Sequence, residues 1–364
     1  MQNYLSISKK DLIYNAKAAV DYVKTPVIAV VKCNGYGIGI ENAVNAWYEA
    51  GVRMFAVAEA FEALNIADMN IADISILLLS PCYDDETIRE LAKHNVIFTV
   101  TSFDCAAHLA DVCNTVGYMP KAHVKINTGM GRFGTKYDKI DDLKRIYSVE
   151  NIDFCGIFSH FALSFEQQYD NTKTQLGRFL SVTNALEKSG INVGTKHIAN
   201  SVAAILYEDT RLDAVRLGSA LVGRLMKQTP LKLKPIGIMY AQVADVTKLN
   251  KGDTSGYAMI YKAKSDMTAA VIELGFRHGF GMTRKSDNFR FVDVLRDILH
   301  AVKGYKKYDF VIDESGKKHY LIGRIGNQYS LFTNDDNSLK PGDFVKANVN
   351  VLMIDSAITR KIEE

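Results

Sequence analysis

The chain has 364 residues, of which 48% are hydrophobic and 23% are charged, and this balance excludes a disordered or fibrous protein. Its net charge of +3 is small and its basic residues are scattered, so a nucleic-acid or membrane-surface partner has no electrostatic support. The length allows two or three domains, or one barrel with an added domain.

Eight short apolar runs recur through the first two-thirds of the chain. We predict strands at residues 27–31, 54–58, 74–79, 96–100, 122–126, 154–159, 195–199 and 212–217. Between them, apolar residues at three- and four-residue spacing predict helices at residues 40–50, 85–93, 103–114 and 171–189. This alternation predicts a closed parallel (β/α)8 barrel of the TIM type. A doubly wound sheet is the competing interpretation, but its G-x-G-x-x-G turn is absent.

The pattern changes after residue 225. Alternating or apolar runs at residues 235–247, 255–262, 268–275, 319–325 and 343–354 predict a mostly antiparallel β domain. One predicted helix, at residues 291–302, interrupts it. We therefore expect a barrel domain at residues 1–230 and a β-rich domain at residues 231–364.

Several patterns concern location and metals. The five cysteines have no C-x-x-C or Cys/His ligand spacing, which indicates free thiols in a reducing compartment. The first ten residues lack the apolar run and cleavage site of a signal peptide. We expect a cytoplasmic protein, or the cytoplasmic domain of a longer membrane-anchored one. Neither H-x-x-x-H nor H-E-x-x-H occurs, and no G-x-S-x-G is present, so we expect neither a metal site nor a serine hydrolase.

The segment VIAVVKCNGYGIG at residues 27–39 is the first that indicates a catalytic residue. It places Lys32 at the carboxyl end of a buried strand, which is where barrels place catalysis. The glycines after it let backbone approach a ligand closely. An uncharged lysine amine in such a place can form an imine with an aldehyde cofactor. The alternative is a lysine at a strand end that extends its ammonium group into water.

This segment resembles the pyridoxal-phosphate (PLP) attachment motif AVVKANAYGHG of alanine racemases. Matches to further motifs of that family follow in the same order: HVKINTGMGRFG at 123–134, GIFSHFA at 156–162, HIANS at 197–201, VRLGSALVG at 215–223 and GYAMIYKA at 256–263. The resemblance covers about residues 5 to 280 well and the last 80 residues less well. The chain therefore resembles the alanine racemase family, which belongs to PLP fold type III.

The resemblance implies a two-base racemisation. Lys32 would hold PLP as a Schiff base and act as one acid/base group, with Tyr261 as the second on the opposite face. Tyr261 can act as a base near neutral pH only if cations stabilise its phenolate. His160 and Arg216 match the family's supporting residues. Arg216 would face the pyridine nitrogen, where it stays protonated and suppresses side reactions such as transamination.

The resemblance also implies the residues that bind the cofactor. The phosphate would be bound by Tyr36, Ser201 and the amide of Gly218, with Asn200 beside them. Barrels commonly bind phosphate near the seventh and eighth strands.

Two basic residues complete the implied barrel site. Arg132 resembles the arginine near the cofactor's phenolic oxygen and the substrate carboxylate. Lys125 resembles a lysine that is carbamylated in many relatives. The aspartate that accompanies this lysine in the family is Asn127 here.

The C-terminal part departs from the family in three segments. GRVCMDQ is replaced by GRIGNQ at 323–328, GYADGY by GFRHGF at 275–280, and the last segment, NVNVLMIDSAITRK, lacks the tyrosine of SYRVPR. In the family this region reaches across a homodimer interface to the partner's substrate. The resemblance therefore makes Gly326 and Asn327 substrate contacts. Asn348, Asn350 or Ser356 would take the place of the tyrosine, leaving room for a side-chain hydroxyl.

These departures resemble the racemase domain of VanT-type membrane serine/alanine racemases of vancomycin resistance. We expect racemisation of serine and alanine for cell-wall precursors, by a homodimer with shared sites that binds a small amino acid and makes no membrane contact through this segment. One alternative is a housekeeping alanine racemase. A second is a non-catalytic PLP-homeostasis barrel, although such proteins lack the β domain and Tyr261. A third is a PLP decarboxylase, which would have a carboxylate in place of Arg216.

Overall fold

The computed structural model describes residues 2–164, 169–225, 229–283, 291–304 and 309–364. The chain divides into two compact units. The barrel unit consists of Lys9–Ile236 with Glu364, and the sheet unit consists of the residues up to Ser8 with Gly237–Glu363.

Strands and helices alternate through the barrel unit. The chain first forms strand β1 (Tyr4–Ser8), which belongs to the sheet unit. The described elements that follow are α1 (Lys9–Val23), β2 (Val27–Val30), α2 (Lys32–Tyr36), α3 (Ile40–Glu49), β3 (Met54–Val57), α4 (Ala60–Ala67), β4 (Ser75–Leu78), α5 (Asp85–Lys93), β5 (Phe98–Val100), α6 (Phe103–Asn114), β6 (Lys121–Asn127), β7 (Thr135–Lys136), α7 (Ile140–Tyr147), β8 (Asp153–Phe158), α8 (Asp170–Lys188), β9 (Thr195–His197), α9 (Ser201–Leu206) and β10 (Val215–Leu217).

Parallel pairing closes the barrel strands into a ring. Strands β10, β2, β3 and β4 pair in that order, as do β5, β6, β8 and β9. Single parallel bridges between Leu77 and Ile97 and between His197 and Ala214 join the two groups. Within the described residues this makes an eight-stranded parallel barrel, which confirms the predicted (β/α)8 fold. Most strand residues are buried on both faces, which explains why each strand reads as a continuous apolar run.

The sheet unit consists mainly of strands. Its described elements after β1 are β11 (Ile238–Leu249), β12 (Thr254–Ser255), β13 (Tyr261–Lys262), β14 (Met267–Ile272), α10 (Phe291–Gly304), β15 (Phe310–Ile312), β16 (Lys318–Ile322), β17 (Ser330–Thr333), β18 (Phe344–Ala347) and β19 (Thr359–Glu363). The main strands pair in the order β14, β17, β16, β15, β18, β11, β1 and β19.

Strand β11 closes part of this sheet on itself. Its register shifts between Val243 and Asp245, so its first part pairs with β18 and its second part with β14. Among the described strands of this sheet every pairing is antiparallel except that of β1 with β19. The predicted mostly antiparallel domain is therefore confirmed.

The structure divides the chain differently from the predicted ranges of 1–230 and 231–364. Strand β1 pairs with β11 and β19 of the sheet unit, and the boundary between the units falls after Ile236. Leu5 and Ile7 of β1 are fully buried, at 0% exposure. Partners more than two hundred residues away hold this strand, and a local sequence pattern does not show them.

Several predicted strands are shorter in the structure, and 3-10 turns interrupt or follow two of them. Residues 255–262 form no continuous strand, because Tyr257–Met259 are a 3-10 turn between β12 and β13. This segment contains three residues with positive φ, which bend the backbone away from a strand: Gly256, Ala258 and Met259. The strand predicted at 343–354 ends at Ala347, and a 3-10 turn follows at Val351–Met353.

Helix α10 has an exposed apolar face. The helix confirms the one predicted at residues 291–302. Its exposed face consists of Phe291, Leu295, Ile298, Leu299 and Val302, which share one side at three- and four-residue spacing. Among all the described helices, none is both long and apolar enough to cross a membrane.

Candidate active site

Lys32 begins the short segment α2, which follows strand β2 and is a left-handed turn rather than a regular α-helix. The residues after it have positive φ values between 53° and 86°: Cys33, Asn34, Gly35, Tyr36 and Gly37. Such a conformation costs roughly 1–2 kcal/mol for each non-glycine residue, so the surrounding structure must hold the turn. Within the turn, the Gly35 amide donates to Val31 O at 2.9 Å. The turn brings Lys32 and Tyr36 to the carboxyl end of the barrel strands.

The predicted phosphate ligands meet at Gly218. A Cβ atom added at Gly218 would lie 2.2 Å from Tyr36 Oη, so only glycine leaves room for the phenol. Ser201 Oγ accepts a hydrogen bond of 3.0 Å from the Gly218 amide. Asn200 caps the helix that begins at Ser201, because its Oδ1 accepts from the Ala203 amide at 3.1 Å. Burial raises the pKa of Tyr36, so its hydroxyl is a hydrogen-bond donor at neutral pH.

Arg216 is a buried cation at the end of β10. Its Nη1 donates to His197 Nδ1 at 2.6 Å and to His197 O at 3.2 Å. Its Nη2 donates to Ser159 O at 2.5 Å, and to His160 Nδ1 and Ile198 O at 3.2 Å each. None of these contacts uses the Nε–H donor. Burial lowers the pKa of Arg216 to about 9, so the guanidinium is still protonated at neutral pH.

Three histidines around Arg216 are uncharged. His160 and His197 accept from the guanidinium through Nδ1, so these nitrogens carry no proton. His197 Nε2 then donates to His123 Nδ1 at 2.9 Å. Burial, followed by the charge of Arg216, lowers the pKa of His123 to about 4, and the pKa values of His160 and His197 are also well below the usual range. A chain of neutral imidazoles therefore holds one buried guanidinium.

Lys125 lies in β6 close to the same cation. Burial, and then the charges of Arg216 and Arg132, lower the pKa of Lys125 to about 6. Its Nζ lies 4.1 Å from the centroid of the Phe158 ring. At neutral pH most of this amine is therefore unprotonated and nucleophilic.

Arg132 lies in the exposed loop that follows β6. Asn127 Oδ1 accepts hydrogen bonds from the amides of Gly129 and Gly131, at 3.1 and 3.0 Å, and these bonds set the path of the loop. The charge of Arg132 lowers the pKa of both Lys125 and His160, so its guanidinium lies in their neighbourhood.

The barrel unit brings together most of the predicted site. It contains Lys32, Tyr36, Lys125, Arg132, His160, Asn200, Ser201, Arg216 and Gly218. These residues fit PLP. The Lys32 amine suits its aldehyde, and an Arg216 N–H suits its ring nitrogen. The hydroxyls of Tyr36 and Ser201, with the Gly218 amide, suit its phosphate, and we call these three groups the phosphate cradle. The other predicted residues, Tyr261, Gly326, Asn327, Asn348 and Asn350, lie in the sheet unit.

Tyr261 begins strand β13 and lines a cavity of about 580 Å³ in the sheet unit. Its hydroxyl donates to Met267 Sδ at 3.1 Å. Burial, followed by the charge of Asp335, raises the pKa of Tyr261, although Lys248 and Lys264 line the same cavity. The surroundings of Tyr261 in this unit therefore favour the protonated phenol, and they do not meet the condition that cations stabilise its phenolate.

The segments that depart from the family pattern contact one another. The amides of Phe276 and Arg277 donate to the carbonyl oxygens of Gly326 and Asn327, at 3.0 Å each. Gly326 is buried and Asn327 is exposed. These bonds join the segments at residues 275–280 and 323–328 within the sheet unit.

Asn350 belongs to the same cluster of segments. Its amide donates to Gly279 O at 2.8 Å, and its Nδ2 donates to Met282 O at 3.3 Å. Asn348 and Ser356, the other candidates for the place of the missing tyrosine, are exposed. All three altered segments thus meet in one region.

Sequence reasoning missed three buried polar residues of the barrel unit. His123 and His197 hold Arg216 in place, and Glu62 contacts the turn that follows Lys32. A histidine within an apolar barrel strand was the available signal for the first two. Among the described residues, no group of three His, Cys, Asp or Glu side chains is placed to hold a metal ion.

Comparisons with known proteins point to one family. The family model described as "Alanine racemase, N-terminal domain" matches residues 7–225. The alanine racemase of Clostridium tetani (strain Massachusetts / E88) is 32% identical over 285 residues, which cover 76% of this chain and 73% of that protein. That of Desulforamulus reducens is 33% identical over 260 residues, which cover 70% of each.

Solved structures share the whole fold. The alanine racemase of Clostridium difficile 630 aligns with a TM-score of 0.87 at 22% identity, covering 100% of this chain and 96% of that one. A histidine racemase from Leuconostoc mesenteroides subsp. sake aligns with a TM-score of 0.83 at 20% identity, covering 100% of both chains.

Proposed function

The chain belongs to the alanine racemase family, whose members depend on PLP, and from this premise we propose that it interconverts the L- and D-forms of serine and of alanine. That it is a PLP-dependent amino-acid racemase follows from the family. The substrate proposal is carried by one observation, the meeting of the three altered segments in the sheet unit.

The two proton-transferring groups are Lys32 and Tyr261. PLP, when bound, delocalises the negative charge left on the α-carbon after its proton has gone. Lys32 holds the cofactor and takes or returns the proton on one face, and Tyr261 does so on the other. Because burial and then the charge of Asp335 raise the pKa of Tyr261, its phenol is protonated at neutral pH and can deliver a proton on its face.

Arg216 is the residue that would contact the pyridine ring of PLP. Its Nη groups are engaged by histidines and carbonyl oxygens, which leaves Nε–H for the pyridine nitrogen. A protonated guanidinium donates a hydrogen bond but no proton, and this disfavours transamination. A decarboxylase of the same fold would have a carboxylate there.

Lys125 is proposed to carry a carbamate. Its neutral amine nitrogen attacks the carbon of CO2, a C–N bond forms, and one proton is released. The resulting anion is stabilised by the positive charges of Arg216 and Arg132, the same charges that disfavour the ammonium form.

The altered segments favour a hydroxyl-bearing substrate. The family's tyrosine is missing from the last segment, and Asn348, Asn350 and Ser356 offer polar groups nearby in the chain. A pocket that satisfies the serine hydroxyl accepts serine beside alanine. A histidine racemase has the same fold, so the fold itself does not confine the substrate to alanine. The D-amino acids would serve cell-wall precursors, as in the VanT-type enzymes of vancomycin resistance.

We further propose a cytoplasmic homodimer with shared sites. In its own sheet unit Tyr261 lies beside Asp335, so other cationic groups are needed if it is to act as a base. The guanidinium of the partner's Arg216 would supply that positive charge.

The experiment is racemisation of L-serine and L-alanine in parallel by the purified, PLP-loaded protein. Lys32→Ala is the blank, and Lys188→Ala, on the exposed end of α8, is the matched control. We expect comparable turnover of both substrates by the wild type and by the control. Activity on alanine alone would assign the chain to the housekeeping alanine racemases, and no activity on either would contradict the proposed roles.

A further inference from the structure

Glu62 is a buried carboxylate outside the cofactor-binding residues. It lies in the first turn of α4 and is 1% exposed. Its Oε2 accepts hydrogen bonds from the amides of Ala58 and Glu59, at 3.2 Å each. Its Oε1 accepts from the amide of Asn34, also at 3.2 Å. One carboxylate therefore joins the start of α4 to the left-handed turn that follows Lys32.

Asn34 is the centre of that turn. Its carbonyl oxygen accepts from the amides of Gly37 and Gly39, at 3.0 Å each. Its side-chain Oδ1 accepts from the Ile40 amide at 3.1 Å. A group that fixes the Asn34 amide therefore fixes the path of the chain on both sides of it, from Lys32 to the start of α3.

We propose that Glu62 is a positioning residue that holds the left-handed turn, so that Lys32 and Tyr36 reach PLP together. Cys33, Asn34 and Tyr36 are non-glycine residues with φ of 57°, 53° and 56°, a region that such residues avoid. The bond from the Asn34 amide to a buried anion opposes the tendency of the turn to relax. This inference rests on the proposed roles of Lys32 and Tyr36.

The three hydrogen bonds that residue 62 accepts require a carboxylate side chain rather than an amide. Three backbone donors share two oxygen atoms, and a carboxylate has only acceptors. Glutamine has the same size, but its NH2 group must face either Asn34 or the start of α4, where it places a donor against a donor. Glu62→Gln therefore disrupts one side of the link without creating a cavity.

The test measures the affinity of the apoprotein for PLP and the visible absorbance of the lysine-linked cofactor at saturation. We expect Glu62→Gln to bind PLP at least about tenfold more weakly, equivalent to about 1.4 kcal/mol, and to keep the absorbance at saturating PLP. The control is Ser102→Ala, which removes the cap of α6, where Ser102 Oγ accepts from the Cys105 amide at 3.1 Å. It should leave PLP affinity unchanged.

A second substitution distinguishes two roles of Glu62, holding the left-handed turn after Lys32 and capping helix α4. Cys33 is exposed, and glycine adopts positive φ without strain. Adding Cys33→Gly to Glu62→Gln should therefore restore at least about threefold of the lost affinity. If Glu62 only caps α4, the added glycine will restore nothing, and the proposal is overturned. It is also overturned if Glu62→Gln binds PLP as Ser102→Ala does.

Two further variants keep the outcome interpretable. If Glu62→Gln does not fold, Glu62→Asp keeps the charge near α4 but shortens the reach to Asn34, and it should weaken PLP binding in the same direction. Lys32→Ala tests the premise separately, because it should abolish the visible absorbance. Persistence of that absorbance in Lys32→Ala would contradict the role of Lys32, whereas an unchanged affinity in Glu62→Gln would contradict the role of Glu62.

Discussion

Lys125 shows how burial, together with the nearby charges of Arg216 and Arg132, changes the chemistry of a side chain. Its pKa of about 6 lies below the usual 10.5, so the amine is free at neutral pH and becomes protonated as the pH falls below about 6. Only the free amine reacts with CO2. We predict that protein equilibrated with 13C-labelled bicarbonate shows a carbamate signal by NMR at pH 7 to 8, and that the signal is lost below about pH 6.

The signal must come from one residue. Lys125→Ala should abolish it, whereas Lys121→Ala, at the exposed start of the same strand, should keep it. A wild-type protein without the signal at pH 8 would show that Lys125 stays unmodified.

A substitution at Gly218 tests whether Tyr36, Ser201 and the Gly218 amide bind the phosphate of PLP. A methyl group there would lie 2.2 Å from Tyr36 Oη, so Gly218→Ala must displace the phenol or the backbone. We predict at least about tenfold weaker PLP binding, because each charge-assisted hydrogen bond to a phosphate contributes about 1.5–3 kcal/mol. Fluorescence titration of the apoprotein with PLP measures this.

Gly177→Ala is the matched control for that substitution. Nothing lies within 4 Å of the added methyl group, and Gly177 is inside α8, where alanine stabilises a helix by about 0.5–1 kcal/mol. Its PLP affinity should be unchanged. Equal affinities of Gly218→Ala and Gly177→Ala for PLP would show that Gly218 does not help to bind the phosphate.

The sequence motifs predicted the site residues whose chemistry is visible in their own segment. Lys32 follows an apolar strand and precedes glycines, and the structure places it there. His123, His197 and Glu62 escaped prediction because hydrogen bonds define their roles, and these bonds span 74 residues between His123 and His197, 19 between His197 and Arg216, and 28 between Glu62 and Asn34. Residue type alone does not show such contacts.

At the scale of helices and strands, the sequence pattern predicts best those elements whose residues are buried or capped within their own segment. The barrel strands were found because most of their residues are apolar on both faces. Helices α5 and α6 were found with correct bounds, since Asp84 and Ser102 cap them through their side chains. Strands β1, β15, β17 and β19 were not predicted. They are three to five residues long, and their distant partners define them.

The exposed face of α10 makes a prediction about stability. Leu295 and Leu299 are 45% and 59% exposed, so little apolar surface is lost from the interior if they are shortened. Leu295→Ala and Leu299→Ala should each change the free energy of unfolding by less than about 0.5 kcal/mol, as surface substitutions do. Denaturant unfolding followed by circular dichroism measures this.

A buried leucine of the same unit is the control. Leu274 is 0% exposed, and Leu274→Ala should cost about 2–5 kcal/mol. If the α10 variants cost as much as Leu274→Ala, another surface covers this face of the helix in solution.

At the scale of the whole molecule, the predicted catalytic pair is divided between two units. Lys32 belongs to the barrel unit and Tyr261 to the sheet unit. If sites are shared in a homodimer, inactive Lys32→Ala and inactive Tyr261→Phe proteins should recover activity when their subunits exchange. Random exchange makes half of the dimers hybrid, and one of the two sites in each hybrid is intact, so about a quarter of wild-type activity is expected.

Subunit exchange must be shown independently for this test, by mass spectrometry of differently tagged chains. Exchange without recovered racemisation would contradict shared sites. Recovery would also show that the partner's Tyr261 serves the site containing Lys32.

Strand β1 pairs along its length with β19, from Tyr4 beside Thr359 to Ser8 beside Glu363. On the ribosome, β1 is therefore translated long before its partner β19. Residues Lys9–Ile236 of the barrel unit are translated roughly ten seconds before β19 at ordinary translation rates. During that interval β1 lacks its partner β19, and the nascent chain presents an unpaired edge of an apolar strand that a chaperone can bind.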